Sequence, residues 1–501
     1  MHWINRKSQN GNSDREQDFP FARRMSWLFL AASIVLLIYT YYLTEITYQG
    51  GSSSTYFKYY LISLTGILFW GAVLLLREGI QANIVTMFTS LVLVIYLFEG
   101  GLTFLGLGQI DRVAAAEELG VEYDLRTRLE VIEDLITKGV DTVPTVAISN
   151  HAQYLDNSAL ASALINKIGT TKTDIDHLLP LGGVSNKTTV SGNESGKYLV
   201  YMSDRHGFHN PDSQWDSQNL EWLLTGDSHA HGYAVQPGQE IAGQLRSITG
   251  NSAINLGISG NGPLLEYAAL VEYGKALAPA KVLWIYSEAN DITSDLNFEK
   301  TNSLLMQYME DEFSQNLINR QKEIDNSLEK YIEIARAQHS EEEAHVTQLE
   351  INAQRYKTGW IRLSRVRKVL GFDVVDVDVE VDIDYPLFAK ILTKAKGVVE
   401  AWEGELYFIY LPEYWRYNNK TISHDKFRKK TEVIDLVKQL DIPVIDIHQE
   451  VFANHSDPLS LFPFRLFGHY NADGYSEVAK AIVTGVNKYE QSNKEEKFEN
   501  D

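Results

Sequence analysis

Apolar residues are spread unevenly along this chain. Three long apolar stretches crowd the first 107 residues, and shorter runs separated by helical patterns follow. The stretches run from about Met25 to Thr44, about Tyr59 to Leu76 and about Asn83 to Leu105, each near the ~20 residues that cross a bilayer core. Trp27, Tyr41, Tyr42, Tyr59, Tyr60 and Trp70 lie at or near their ends, where amphipathic rings settle at a membrane interface. Arg23 and Arg24 precede the first stretch and Arg77 follows the second, whereas the loop from Glu45 to Phe57 has no Lys or Arg. That asymmetry predicts a cytoplasmic segment over 1–24, three transmembrane helices within 25–107, and delivery of everything after Asp111 to the periplasmic or extracellular side. The rival reading, a signal peptide before a buried helical pair, needs a small-residue cleavage site that the first stretch lacks.

Beyond the anchor, residues 108–218 read as a linker and a small preface. Leu125, Leu129, Ile132 and Leu135 have helix spacing within a connecting helix from Asp111 to about Gly139. Thr142 to Asp216 is richer in Thr, Ser, Gly and Asn, and Lys197 to Ser203 alternates like a strand. The main domain, 219–490, then alternates short apolar runs with helical patterns. Strands are expected at Leu220–Thr225, Ala253–Leu256, Lys281–Ser287, Leu406–Leu411 and Pro443–Ile447. Helices are expected over Pro237–Ile248, Leu264–Ala276, Lys426–Leu440 and Ala472–Tyr489. Such alternation predicts an α/β fold with a parallel sheet covered on both faces.

A charged interruption at about 304–370 carries Phe313, Leu317, Ile324, Leu328 and Ile332 at helix spacing. It reads as a solvated helical insertion, with a lid or a dimerisation arm as the alternatives. The Asp-rich run Asp373–Asp384 matches no calcium loop, and 491–501 is expected to be a disordered tail.

Composition narrows the function. The 44% hydrophobic content supplies a sizeable core, and the net charge of −21 over 501 residues argues against a nucleic-acid partner. The absence of cysteine removes disulfides, thiolate metal sites and a cysteine nucleophile.

One apolar run ends abruptly in Gly226-Asp227-Ser228, between a predicted strand and a predicted helix. A serine in such a turn is exposed at the mouth of a parallel sheet, with backbone N–H groups near it for a developing oxyanion. Gly-Asp-Ser is also ordinary turn chemistry, so its partners decide the case. Three further segments follow predicted strands, where open α/β sheets place their sites. Gly257, in the glycine-rich run Asn255–Pro263, offers an unobstructed N–H. Asn290 offers a side-chain donor, with Asp291 holding the loop. His469 precedes the last helix and supplies a candidate base.

Gly226-Asp227-Ser228, Gly257, Asn290-Asp291 and His469, in that order, resemble the four sequence blocks of the SGNH, or GDSL-type, hydrolase superfamily. The resemblance covers roughly Asn219 to Tyr489. It implies a flavodoxin-like three-layer fold, Ser228 as nucleophile, His469 as general base, and an oxyanion hole from Ser228 N–H, Gly257 N–H and Asn290. The implied chemistry is acyl transfer through a serine ester, without cofactor or metal. Two positions depart from the family's pattern. Glu288 stands where the third block usually begins with glycine, and Leu466 stands where an Asp usually precedes the histidine by three residues. Asp457, in a Ser-Asp-Pro turn, and a backbone carbonyl are the candidates for orienting His469.

Two competitors come from other classes. Asp227-Ser228-His229-Ala230-His231 looks like a His-x-His metal pair, since alternate residues of an extended segment point to one side. Asp446, His448, His424, His455 and His469 are the further ligands it could recruit. The other competitor is a membrane-bound binding or assembly protein that keeps the fold without the chemistry. For the enzyme, a membrane anchor points to a large local substrate, and an acylated cell-envelope carbohydrate is the expected class.

Overall fold

The computed structural model describes residues 20–47, 53–104, 112–146, 178–233, 235–343, 363–369, 383–418 and 424–500. The chain divides into two compact units, Met1–Gln109 with Val346–Val381, and Ile110–His345 with Asp382–Asp501.

In the first unit the described residues form helices Pro20–Tyr41, Ser53–Val73, Glu78–Phe104 and the short Ser364–Val369. Two helical segments, Pro20–Ile46 and Glu78–Leu102, are long and apolar enough to cross a membrane, where three were expected. The middle helix begins with the polar turns Ser53–Tyr60, which leaves a shorter apolar part. Phe29 stacks on Trp70 at 4.7 Å, and Trp70 meets Phe88 edge-on at 5.0 Å, so aromatic rings join all three helices. Leu28, Val35, Ile38, Leu68, Leu75 and Leu97 are each more than half exposed. Apolar exposure on that scale suits contact with hydrocarbon rather than water. Glu99 accepts the backbone N–H groups of Arg365 and Val366 at 3.1 and 2.7 Å, which satisfies two orphan donors at the start of the short helix.

The second unit holds two sheets. Strands β1 (Thr142–Pro144), β2 (Thr188–Val190) and β3 (Val200–Met202) form the preface sheet, in which β1 and β2 run parallel and β3 antiparallel. Strands β4 (Trp222–Gly226), β5 (Ala253–Asn255), β6 (Lys281–Ser287), β7 (Glu405–Leu411) and β8 (Val444–Asp446) form a parallel sheet in the order β5-β4-β6-β7-β8. This is the doubly wound, flavodoxin-like order, in which the second strand of the sheet flanks the first on the side away from the third. Its switch point lies between β4 and β6, where such folds place their ligands beyond the carboxyl ends of the strands.

Strand alternation builds both layers. Leu223, Ile254, Val282, Trp284, Phe408 and Tyr410 enter one core, while Trp222, Leu224, Leu283, Ile285, Tyr407 and Ile409 enter the other.

Several expectations are corrected here. The connecting helix is two helices, Arg112–Glu118 and Arg128–Thr137, the second begun by a capping box of Thr127 and Glu130. The insertion contains helix Gln321–Glu343, but Leu317, Ile324, Leu328 and Ile332 are buried in the domain's own core. The last helix, Ala472–Asn500, continues through the region expected to be a disordered tail. Residues 344–362 of the insertion and 373–382 of the Asp-rich run lie outside the described residues.

Candidate active site

β4 ends at Gly226, and the chain passes at once into a single helical turn, Ser228–His231, with Asp227 as its cap. A Cβ on Gly226 would come within 2.8 Å of Ala230 Cβ and 2.9 Å of Ile285 Cβ, so only glycine lets the turn fold this closely onto the sheet. Asp227 Oδ1 accepts the His229 N–H at 2.8 Å, and its Oδ2 lies 3.3 Å from Ser228 Oγ.

Ser228 Oγ lies 2.7 Å from His469 Nε2, although 241 positions separate the two residues. On the other side of the ring, Nδ1 faces Glu194 Oε2 at 3.2 Å, and the same carboxylate oxygen accepts the His469 backbone N–H at 2.8 Å. With Nδ1–H donating to Glu194, Nε2 keeps its lone pair toward the serine hydroxyl. Burial by itself would raise the Glu194 carboxyl, but hydrogen bonding and charge from His469, then the charge of Arg112, hold it at about 2. It is an ionised acid beside a histidine beside a serine hydroxyl, the arrangement in which the histidine can take and return a proton.

Glu194 comes from the preface, in the loop Ser191-Gly192-Asn193-Glu194-Ser195-Gly196. Asp457, the side chain named from sequence as a possible orienter, pairs instead with Arg465 at an exposed position. No sequence spacing relates position 194 to position 469, so Glu194 was not read from the sequence. Its only signal is an acid in a loop of small residues. Tyr233 and His229 complete the surroundings, each with its ring centroid 4.8 Å from that of His469.

The other blocks gather at the same end of the sheet. Gly257 packs against the Ser228 turn, where a Cβ would come within 2.5 Å of Ala230 Cβ and 2.8 Å of the His231 nitrogen. Its N–H, read from sequence as an unobstructed donor, already donates to Asn255 Oδ1 at 2.8 Å. Asn255 Nδ2 in turn donates to Ala230 O at 2.6 Å, so this side chain staples the glycine loop to the turn.

Asn290 has a fixed orientation. Its Oδ1 accepts from Ser287 Oγ at 2.9 Å and its Nδ2 donates to Asp295 Oδ2 at 2.6 Å, which uses one of its two N–H groups. Asp291 Oδ2 accepts the Ser287 N–H at 2.8 Å and closes the loop. Burial, then the charges of Glu266 and Asp227, push the Asp291 carboxyl well up. Glu288 bonds Arg416 and accepts the Glu413 N–H at 3.0 Å, which ties the loop after β6 to the loop after β7.

The competing His-x-His metal pair does not converge. Residues 228–231 are helical rather than extended, so alternate side chains do not share a side. His231 is fully buried, with Nε2 3.1 Å from Tyr201 Oη and Nδ1 3.1 Å from Ser259 Oγ. Burial, then the charges of His209 and His469, lower its pKa to about 3, which leaves it neutral. Asp446 pairs with Lys430, His448 Nδ1 meets Tyr417 Oη at 2.8 Å, and His455 Nδ1 accepts the Asp457 N–H. The side chain of His424 lies outside the described residues.

Fold and site together define a doubly wound α/β domain with a Ser-His-Glu constellation at its switch point. No family model and no curated protein matches the chain. Among solved structures it is similar to a protein described as lipolytic and of the G-D-S-L family from Desulfitobacterium hafniense, at 10% identity over 53% of this chain and 99% of that one, with a TM-score of 0.29.

Proposed function

We propose that this chain is a membrane-anchored SGNH-type serine esterase or O-acyltransferase acting on an acylated carbohydrate of the cell envelope. The observation that carries the reading is the line Ser228 Oγ, His469 Nε2, His469 Nδ1, Glu194 Oε2 at 2.7 and 3.2 Å beyond β4.

In the first half-reaction Ser228 Oγ attacks the acyl carbonyl as its proton passes to His469 Nε2, giving a tetrahedral oxyanion. Collapse breaks the ester C–O bond, and His469 returns the proton to the leaving alcohol. Water or a sugar hydroxyl, deprotonated by His469, then attacks the acyl-serine and releases Ser228. Ser228 N–H, the second N–H of Asn290 and Gly257 N–H are the proposed oxyanion donors, the last by exchanging Asn255 Oδ1 for the oxyanion.

The apolar helices support anchoring, and the placement of Arg23, Arg24 and Arg77 supports a cytoplasmic N-terminus with the catalytic unit on the outer face. In this topology the 21-residue helix Ser53–Val73 is the return leg. Phe467, half exposed and stacked on Trp415 at 5.3 Å two residues before His469, supports a carbohydrate ligand, because such a face suits the C–H side of a sugar ring.

A second reading, a binding protein without chemistry, is favoured by one observation: Gly257 N–H and one N–H of Asn290 are already bonded internally. Trapping the full chain with a serine-reactive phosphonate, followed by peptide mass analysis, separates the two. Label on Ser228 alone, absent in Ser228→Ala, is expected for the enzyme; label elsewhere or nowhere overturns it.

A further inference from the structure

The residues that orient His469 are themselves held by a segment outside the doubly wound sheet. Arg112 opens the first described helix after the third apolar helix, which ends at Phe104. Its Nη2 donates to Phe467 O at 2.5 Å and lies 3.3 Å from Glu194 Oε1. One guanidinium thus contacts both the acid of the constellation and the backbone two residues before its histidine. Gly468 makes room for this, since a Cβ there would run into Glu194 Oε2 and sit 2.7 Å from Arg112 Nη2.

The rest of the connector grips the same loop. Asp124 N–H donates to Gly196 O at 2.8 Å, Asn193 Nδ2 donates to Asp124 O at 3.1 Å, and Tyr123 Oη donates to Asn193 O at 3.1 Å. Gly196, at φ +94°, lies against Glu122 O, where a Cβ would sit 2.7 Å away. The Glu194 loop is therefore clamped by residues 122–124 on one side and by Arg112 on the other. The His469 segment also needs holding, because Phe464 and Arg465 both have left-handed backbone, at φ 54° and 59°.

We propose that Arg112 is a positioning residue for the hydrolytic site, fixing from the connector both the acid that orients His469 and the backbone that carries it. The inference rests on the reading of Ser228 and His469 as nucleophile and base. Arg112 touches neither of them, so it acts through Glu194 and through Phe467 O. Both contacts run through Nη2, whose two N–H groups diverge in the fixed guanidinium plane, a geometry that the rotating ammonium of lysine reproduces only in part. Glu194 lies within electrostatic reach of His469, Arg112, Tyr233 and Tyr475, and Arg112 is the only arginine or lysine among them.

The test uses the full chain in detergent with a chromogenic acetyl ester, measuring kcat and KM from about pH 2 to pH 9. Arg112→Gln is expected to lower kcat by about tenfold to a hundredfold with KM changed less than about twofold, the scale of a lost charge-assisted hydrogen bond. Its acidic limb moves to higher pH, because Glu194 without the guanidinium protonates more readily and then stops accepting from Nδ1–H. Arg112→Lys is expected to recover part of kcat, and guanidinium added to Arg112→Ala to recover part as well.

Wild-type kcat and pH profile in Arg112→Gln, with Ser228→Ala inactive, overturn the inference and leave the enzyme reading intact. Loss of kcat with a lowered Tm, without recovery by lysine or guanidinium, overturns it in favour of a purely structural role. Full turnover in Ser228→Ala instead overturns the reading on which it rests.

Discussion

Glu194→Gln is the sharpest perturbation of this site. The carboxylate accepts two hydrogen bonds from His469, from the backbone N–H at 2.8 Å and from the ring at 3.2 Å. A carboxyl held at about 2 against an ordinary 4.5 carries a preference for its charged form of about 3 kcal/mol, and His469 supplies the largest favourable part. If that preference is withdrawn as the imidazolium forms, kcat falls by roughly two decades. A glutamine that turns its amide N–H toward Nδ1 also selects the tautomer with Nε2 protonated, which cannot accept the Ser228 proton and deepens the loss toward ~10⁴.

The assay is steady-state hydrolysis of a chromogenic acetyl ester by the full chain in detergent, with Ser228→Ala as the zero. KM is expected to change little, because Glu194 faces the histidine rather than the substrate. A Glu194→Gln enzyme within threefold of wild-type kcat, beside an inactive Ser228→Ala, would refute the reasoning.

Four further outcomes follow from the same geometry. Because the folded-state value of Glu194 is depressed, its stabilisation is present above pH 4.5 and is lost as pH falls toward about 2. The Tm difference between wild type and Glu194→Gln should accordingly shrink between about pH 5 and pH 2 by scanning fluorimetry. Asp457→Ala is expected to leave kcat within about twofold, since its exposed pairing with Arg465 lies outside the constellation; a large loss in the ester assay would return Asp457 to the site. Gly257→Ala is expected to destabilise by about 1–3 kcal/mol, read as a lower Tm, because its Cβ meets backbone and Cβ atoms of the Ser228 turn that have no flexible end to move. Gly468→Ala should depress kcat more than Tm, since the added methyl displaces Glu194 rather than a core residue; equal losses in paired kinetic and melting measurements would argue against this.

Much of the domain's architecture was legible because its signals are local. Lys281–Ser287 is a strand at the bounds read from the sequence, and the remaining parallel strands fall within two residues at each end. Each is a short apolar run whose alternate residues feed two cores, a pattern that survives without knowledge of the partner. The connector was misread as one helix because its apolar spacing, which begins only at Leu125, was extended back over Gly120, whose φ of +67° ends the first helix, and over residues 123 and 124, which bond the Glu194 loop. The insertion was misread as a solvated arm because an amphipathic stripe records that something covers it, and not what. The metal pair failed because alternation means a shared side only in extended backbone, and the cap at Asp227 starts a helix there.

By itself the sequence determined the apolar helices, the doubly wound alternation and the position of Ser228 after its strand, because periodicity, capping and turn chemistry act over a few residues. It also determined that Leu466 could not orient His469. The tertiary structure alone decided which acid meets His469. Glu194 reaches His469 from the preface, across 275 positions, and Arg112 steadies it from the connector. A carboxylate can reach an imidazole from any segment that packs beside it, so its place in the chain is free. Only the fold sets which acid arrives at that distance.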